Sequence, residues 1–274
     1  MKPFMMDAFY RDVKSVAGTY VGLLEAAVKI YDKDYAEPRN KTKLREKVSL
    51  VEVRKSIGYD NKFTSFFDQT NLLEDLLLHN NVRYHQFLND PNLLDRLERK
   101  EMSFYKGRRV FLVTIRGSDR LKFYIDALTY AFLRIEISAG PSSQIIEKKN
   151  GLDSRRNSMI KIIEFREYEG QMYLSHIDVI TQIHWLNPKK SDEVRFETEL
   201  HQQLMVNKVY PNTSSKVMAT NTMKPFGLQY QQSRYNKEFW DNYNVIKETP
   251  LDKKILIDLE KDLSLEKQFL DNNK

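Results

Sequence analysis

The 274-residue sequence predicts an α+β protein: an antiparallel sheet packed around helices. Two observations carry this. From Ser103 onward, apolar residues recur at every second position, as on strands with one buried face. Ahead of that stretch lie phenylalanine- and leucine-rich segments at helical spacing. No helix sits regularly between strands, which disfavours parallel βαβ units. Glycine and proline number only 9 and 8, too few for long flexible linkers. One domain over residues 1–274 is therefore the economical reading.

The opening segment, 3–16, reads as a helix. Pro3 suits a first helical turn, and Phe4, Ala8, Val13 and Val16 roughly follow helical spacing. Sheet is expected over 18–57. Tyr20, Gly22, Leu24, Ala26, Val28 and Ile30 alternate as one face, although Leu24, Ala27, Val28 and Tyr31 also fit a helix. Val48 and Leu50 face one way, Val51 and Val53 the other, a phase slip that suggests a bulge. A helical insert follows over 61–98. Phe63, Phe66 and Phe67 open it, Asn71 can cap a turn presenting Leu72, Leu73, Leu76 and Leu77, and Asp90-Pro91 starts a second piece.

Sheet resumes over 103–209. Phe111, Val113 and Ile115 share a face, as do Leu121, Phe123 and Ile125, then Leu133, Ile135 and Ile137. The stretch from Gly140 to Asn157 reads as a polar loop. Three long strands follow, marked by Ile163 and Phe165, by Tyr173, Ile177, Val179 and Ile183, and by Val194 to Val206. An irregular tail, 210–250, leads to an amphipathic helix over 251–270, with Leu251, Ile255, Leu259 and Leu263 on one stripe.

Composition excludes several functions. Cysteine is absent, so disulfides, zinc–thiolate sites and thiol nucleophiles are ruled out. Net charge is +6 from 44 basic and 38 acidic residues, a mixed surface rather than a nucleic-acid footprint. Basic pairs such as Lys106/Arg108 and Lys189/Lys190 sit at expected turns, without interleaved aromatics. The histidines His79, His85, His176, His184 and His201 show no HExxH spacing. His176 and His184 lie roughly 26 Å apart at strand rise, so no stoichiometric metal is expected. No G-x-S-x-G elbow, P-loop or dinucleotide fingerprint occurs. No cofactor and no catalytic residue is assigned.

One polar constellation stands out: Tyr10, Arg11 and Glu25. Arg11 on a first helix would reach Glu25 on the neighbouring strand. That pair is either a buried clamp or a polar anchor for a lipid headgroup or peptide carboxylate. Arg54 and Lys55 offer a second positive group, or a plain strand-end cluster.

Short motifs in order carry a family resemblance. They are Ala8-Phe9-Tyr10-Arg11-Asp12, Glu25-Ala26, Ile30-Tyr31, Arg54-Lys55-Ser56 and Tyr105-Lys106-Gly107 before Val110-Phe111-Leu112-Val113. Tyr124-Ile125-Asp126, Thr129-Tyr130-Ala131, Tyr168-Glu169-Gly170 before Met172-Tyr173-Leu174, and Phe239-Trp240-Asp241-Asn242-Tyr243 follow. Over roughly residues 4–246 the chain resembles the large C-terminal domain of carboxypeptidase-like regulatory domain-containing proteins of Bacteroidota. Asp12 stands where that family usually has Glu. The resemblance implies a periplasmic or outer-membrane-associated protein, with a signal peptide and a small β-sandwich upstream of Met1, and no peptidase activity. It also implies a lipoprotein-carrier-like fold, in which a curved half-barrel sheet wraps around helices. The expected function is a non-enzymatic envelope module whose concave apolar surface takes a lipid, acyl chain or partner segment. The alternative is a structural domain docking on an outer-membrane partner.

Overall fold

In a computed structural model of the chain, the described residues are 2–34, 46–60, 66–67, 71–85, 87, 90–190, 192–213, 223, 227–231, 233–243 and 250–272. Among these residues eleven strands make one antiparallel sheet. They are β1 (Phe4–Val16), β2 (Thr19–Asp32), β3 (Lys47–Lys55), β4 (Leu97–Tyr105), β5 (Arg108–Ile115) and β6 (Ser118–Asp126). β7 (Phe132–Ala139), β8 (Ile145–Lys149), β9 (Leu152–Tyr168), β10 (Gln171–Asn187) and β11 (Glu193–Pro211) complete it. The order is β3-β2-β1-β11-β10-β9-β7-β6-β5-β4, with β8 paired to β9 beside the main path. Two meanders thus meet where β1 pairs with β11.

The opening segment is a strand and not the helix expected over 3–16. Phe4, Met6, Ala8 and Tyr10 join the main core from one face. Phe9 and Val13 are buried on the other. A strand buried on both faces loses the polar–apolar alternation that marks a half-wet one, and the residual spacing mimics a helix. Ala17 and Gly18 close the β1–β2 hairpin with φ of 49° and 76°. This two-residue turn matches the right-handed twist of the strands it joins. The expected bulge is present in β3: pairing jumps from Ala27–Glu52 to Val28–Leu50 and leaves Val51 as the extra residue.

Among its described residues the insert between β3 and β4 carries less helix than expected. It holds a 3-10 turn at Ile57–Asp60, α1 (Leu72–Leu78) and the single turn α2 (Leu93–Arg96). β4 already begins at Leu97, ahead of the expected 103. Asn71 caps α1 as its side chain accepts from Glu74 N, and Leu72, Leu73, Leu76 and Leu77 are buried. The N-cap of α2 is Asn92; Asp90 instead accepts from Asn92 N. Phe63 lies outside the described residues. The insert must run from one edge strand, β3, to the other, β4, so it crosses a face of the sheet, with α1 over β10.

Two further segments differ from expectation. The loop expected over 140–157 contains β8 and the first residues of β9; most of β8 is exposed, whereas Asp153 and Ser154 of β9 are buried. The tail expected to be irregular holds a 3-10 turn at Leu228–Tyr230 and α3 (Lys237–Asn242), capped by Asn236. The final helix is broken in two, Lys253–Leu259 and Leu265–Asp271; Gln268 Nε2 donates to the Leu259 and Leu263 carbonyls across the break.

The architecture is mostly antiparallel sheet, 56% strand against 19% helix, and it is open and uncurled. The half-barrel is not formed. The outer edge of β3 is covered by the chain's own later segment, where Met223 N donates to Val48 O and Ser233 Oγ bonds both Val53 backbone groups. These contacts pair part of the edge without closure onto β4. Among the described residues no helix is long and apolar enough to cross a membrane.

The main core lies on the α1 face, from Leu24 and Val53 across Tyr10, Leu204 and Ile177 to Ile163, Ile135 and Phe123. On the opposite face the two C-terminal helices pack Ile255, Leu259, Leu265 and Phe269 against Val13 and Leu23.

A cavity beneath the crossing insert

Strand parity sends Thr181, Ile183 and Trp185 of β10 and Thr198, Leu200 and Gln202 of β11 to the face that the insert crosses. Among the described residues the insert does not fill the space above them. A cavity of about 840 Å³ remains. Phe66, Phe67, the α1 residues Leu72, Asp75 and Leu78 and the α1 C-cap His79 form one wall; Ile146, Glu147 and Lys149 of β8 form the other. Trp185 is held at the floor: its Nε1 donates to Thr198 Oγ1 at 3.1 Å, and Phe66 meets it edge-on with ring centroids 4.8 Å apart. On the far side of α1 a second cavity of about 280 Å³ is lined by Phe4, Met6, Leu77, Arg83 and Tyr173, among others.

A buried polar cluster borders the larger cavity at Gln202. Gln202 Nε2 donates to Tyr10 Oη at 3.1 Å and to Leu72 O at 2.9 Å, tying α1 to the sheet. Tyr10 and Tyr59 each donate to Asp12 Oδ2, at 2.9 and 3.0 Å. Burial pushes the Asp12 carboxyl up to about 6, against the pull of Lys14 and the two tyrosine hydroxyls. Lys14 Nζ rests 3.6 Å from the Tyr59 ring centroid. Tyr59 reaches this cluster because Gly58 lets the 3-10 turn lie directly on β2: a Cβ there would stand 2.3 Å from Val21 O.

A second polar pair, of buried Lys161 and half-buried His79, lies at the His79 end. Lys161 Nζ is 3.2 Å from His79 Nδ1. Burial lowers Lys161 to about 8, and burial together with the Lys161 charge lowers His79 to about 4.

The five residues singled out from sequence fall in three places. Arg11, Glu25 and Arg54 are cross-strand neighbours in one row, on the face opposite the cavity. Arg11 Nε donates to Glu25 Oε1 at 2.8 Å and Arg54 Nε to Glu25 Oε2 at 2.7 Å. Burial alone would raise the Glu25 carboxyl; Arg54 and Arg11 outweigh it and hold the group below its usual range. Trp240 and Phe269 cover the Arg54 guanidinium, with centroids 4.3 and 4.7 Å away. The expected Arg11–Glu25 contact is therefore present, but through strand register and not through a docked helix. Tyr10 belongs to the Asp12 cluster, and Lys55 Nζ donates to Gln229 O at 3.1 Å. None of the five lines the 840 Å³ cavity.

Sequence reasoning missed Asp12, Lys14, Tyr59, Gln202, His79 and Lys161. A signal for the first two was present: Tyr10, Asp12 and Lys14 alternate with Arg11 and Val13, which is a polar row once the segment is read as a strand. Among the described residues no three His, Asp or Glu side chains converge as metal ligands. His201 and His176 instead flank Asp178, with His201 Nε2 3.0 Å from its Oδ1.

No family model and no curated protein matches the chain. Among solved structures, lipovitellin, described by its lipid–protein interactions, is matched with a TM-score of 0.33 at 10% identity. The match covers 87% of this chain and 28% of that one, so this chain spans under a third of its length. A likeness at that level carries no argument about function.

Proposed function

We propose that the chain is a non-enzymatic binding module of the cell envelope that takes a lipid or acyl chain into the cavity between α1 and strands β8 to β11. The observation that carries this reading is the cavity itself: about 840 Å³, with Phe66, Phe67, Leu78, Ile183, Trp185 and Leu200 in its lining beside polar and charged side chains that include Asp75, His79, Glu147 and Gln202. Small-molecule sites are apolar concavities of roughly 300–1,000 Å³ with a few oriented polar groups. The envelope setting comes from the family resemblance.

Native mass spectrometry of the protein, after incubation with envelope phospholipids and fatty acids, tests the reading. A one-to-one adduct is expected. Leu200→Trp, which fills the cavity, should abolish it. No adduct, or one that survives the substitution, would contradict the cavity as the site.

One observation favours the docking alternative. Among the described residues β4 ends the sheet, and Met102 and Phe104 on it are 49% and 72% exposed. A terminal strand of this kind can accept a partner's strand. Under that reading Leu200→Trp leaves the interaction intact.

A further inference from the structure

We propose that the cavity selects an amphiphile ending in a carboxylate, received by His79 with the buried charge of Lys161 behind it. This rests on the lipid-binding reading above. Lys161 is on β9, in register with Ile137 and Val179, and is 4% exposed. Among the described residues its one polar partner is His79, and no carboxylate pairs with it. A buried ammonium without a counter-charge is costly, and a ligand anion would supply what is missing.

The hydrogen bonding fixes which atom does the receiving. An ammonium has no lone pair, so Lys161 donates to His79 Nδ1, and the imidazole proton sits on Nε2. The depressed His79 value agrees with a neutral ring. His79 lines the cavity, whereas Lys161 sits behind it. Nε2–H is thus the donor that His79 has left for a ligand, polarised by the Lys161 charge at the other ring nitrogen. The remaining charged groups of the lining are Asp75, Glu147 and Lys149. Glu147 and Lys149 stand 3.7 Å apart and offset each other. Asp75 precedes His79 by one turn of α1 and repels an anion, which confines the carboxylate to the side of His79 away from it. Leu78, Ile183 and Leu200 remain for the chain of the ligand.

Calorimetric titration of the full chain with dodecanoate, 1-dodecanol and acetate tests this. Dodecanoate should bind about tenfold or more tighter than dodecanol, the scale of one charge-assisted hydrogen bond. Acetate alone should not bind measurably. Lys161→Met and, separately, His79→Phe should bring the dodecanoate-to-dodecanol ratio close to one. Equal binding of acid and alcohol by the unaltered protein would overturn the carboxylate selection and leave the lipid reading standing. So would a ratio that persists in both variants. Saturable acetate binding would make the pair a free-anion site and overturn the amphiphile. Binding of none of the three would overturn both readings.

Discussion

Glu25→Gln is expected to destabilise the protein by about 3–5 kcal/mol, the cost of breaking a buried ion pair from one side. Arg11, Glu25 and Arg54 are 4%, 1% and 12% exposed, so neither guanidinium can turn to water when the carboxylate charge is gone. The row also holds three adjacent strands, β1, β2 and β3, under the C-terminal helices. Loss of the charge therefore loosens the meander and its cover together. In a chain of this size the melting temperature should fall by roughly 10 °C. Thermal unfolding followed by circular dichroism reads it directly. A change under about 1 kcal/mol is what an exposed pair would give, and would contradict the buried clamp.

Lys161→Met is expected to act in the opposite direction. The lysine is buried with its value lowered from 10.5 to about 8. Between those two values the unfolded chain holds more protons than the folded one, so stability rises with pH across that window. The penalty is fully present below pH 8, at about 3 kcal/mol, and disappears towards pH 10.5. Methionine keeps the length and apolar stem of the side chain without the charge. Denaturant unfolding at pH 7 should show the variant more stable by about 2–3 kcal/mol, and its stability should no longer climb between pH 8 and 10. A variant less stable than the parent at pH 7 would mean that the ammonium has a stabilising role in the unliganded protein. That the chain keeps a charge which weakens its own fold, at the edge of a cavity, is the pattern of a functional group.

How much of this was legible depended on how each segment meets water. The three long strands β9, β10 and β11 were visible because one face of each is partly wet, so Arg195, Glu197 and Glu199 alternate with Phe196, Thr198 and Leu200. β1 was not, because Phe9 and Val13 are as buried as Ala8 and Tyr10. The Arg11–Glu25 contact was legible in spite of that error, since opposite charges of matching reach need a partner in either geometry. The α1 cap at Asn71 and the bulge at Val51 were read from local rules that tertiary structure did not override. The cavity was invisible, because its walls come from segments far apart in the chain: α1, the β8 strand hidden in an apparent loop, and the paired floor of β10 and β11. Lys161 left a trace, a lone cation in the run Met159-Ile160-Lys161-Ile162-Ile163. Only register shows that it turns inward.

The two tryptophans allow the central claim to be measured. Trp185 lies in the floor of the cavity, while Trp240 stacks on Arg54 away from it. Titration with a dodecanoate brominated along its chain should quench the emission of Trp185 saturably, because bromine quenches only on contact. In Trp185→Phe the quenching should vanish while the Trp240 emission remains. No saturable quenching in the parent, or equal quenching in Trp185→Phe, would contradict a ligand in the cavity between α1 and the sheet.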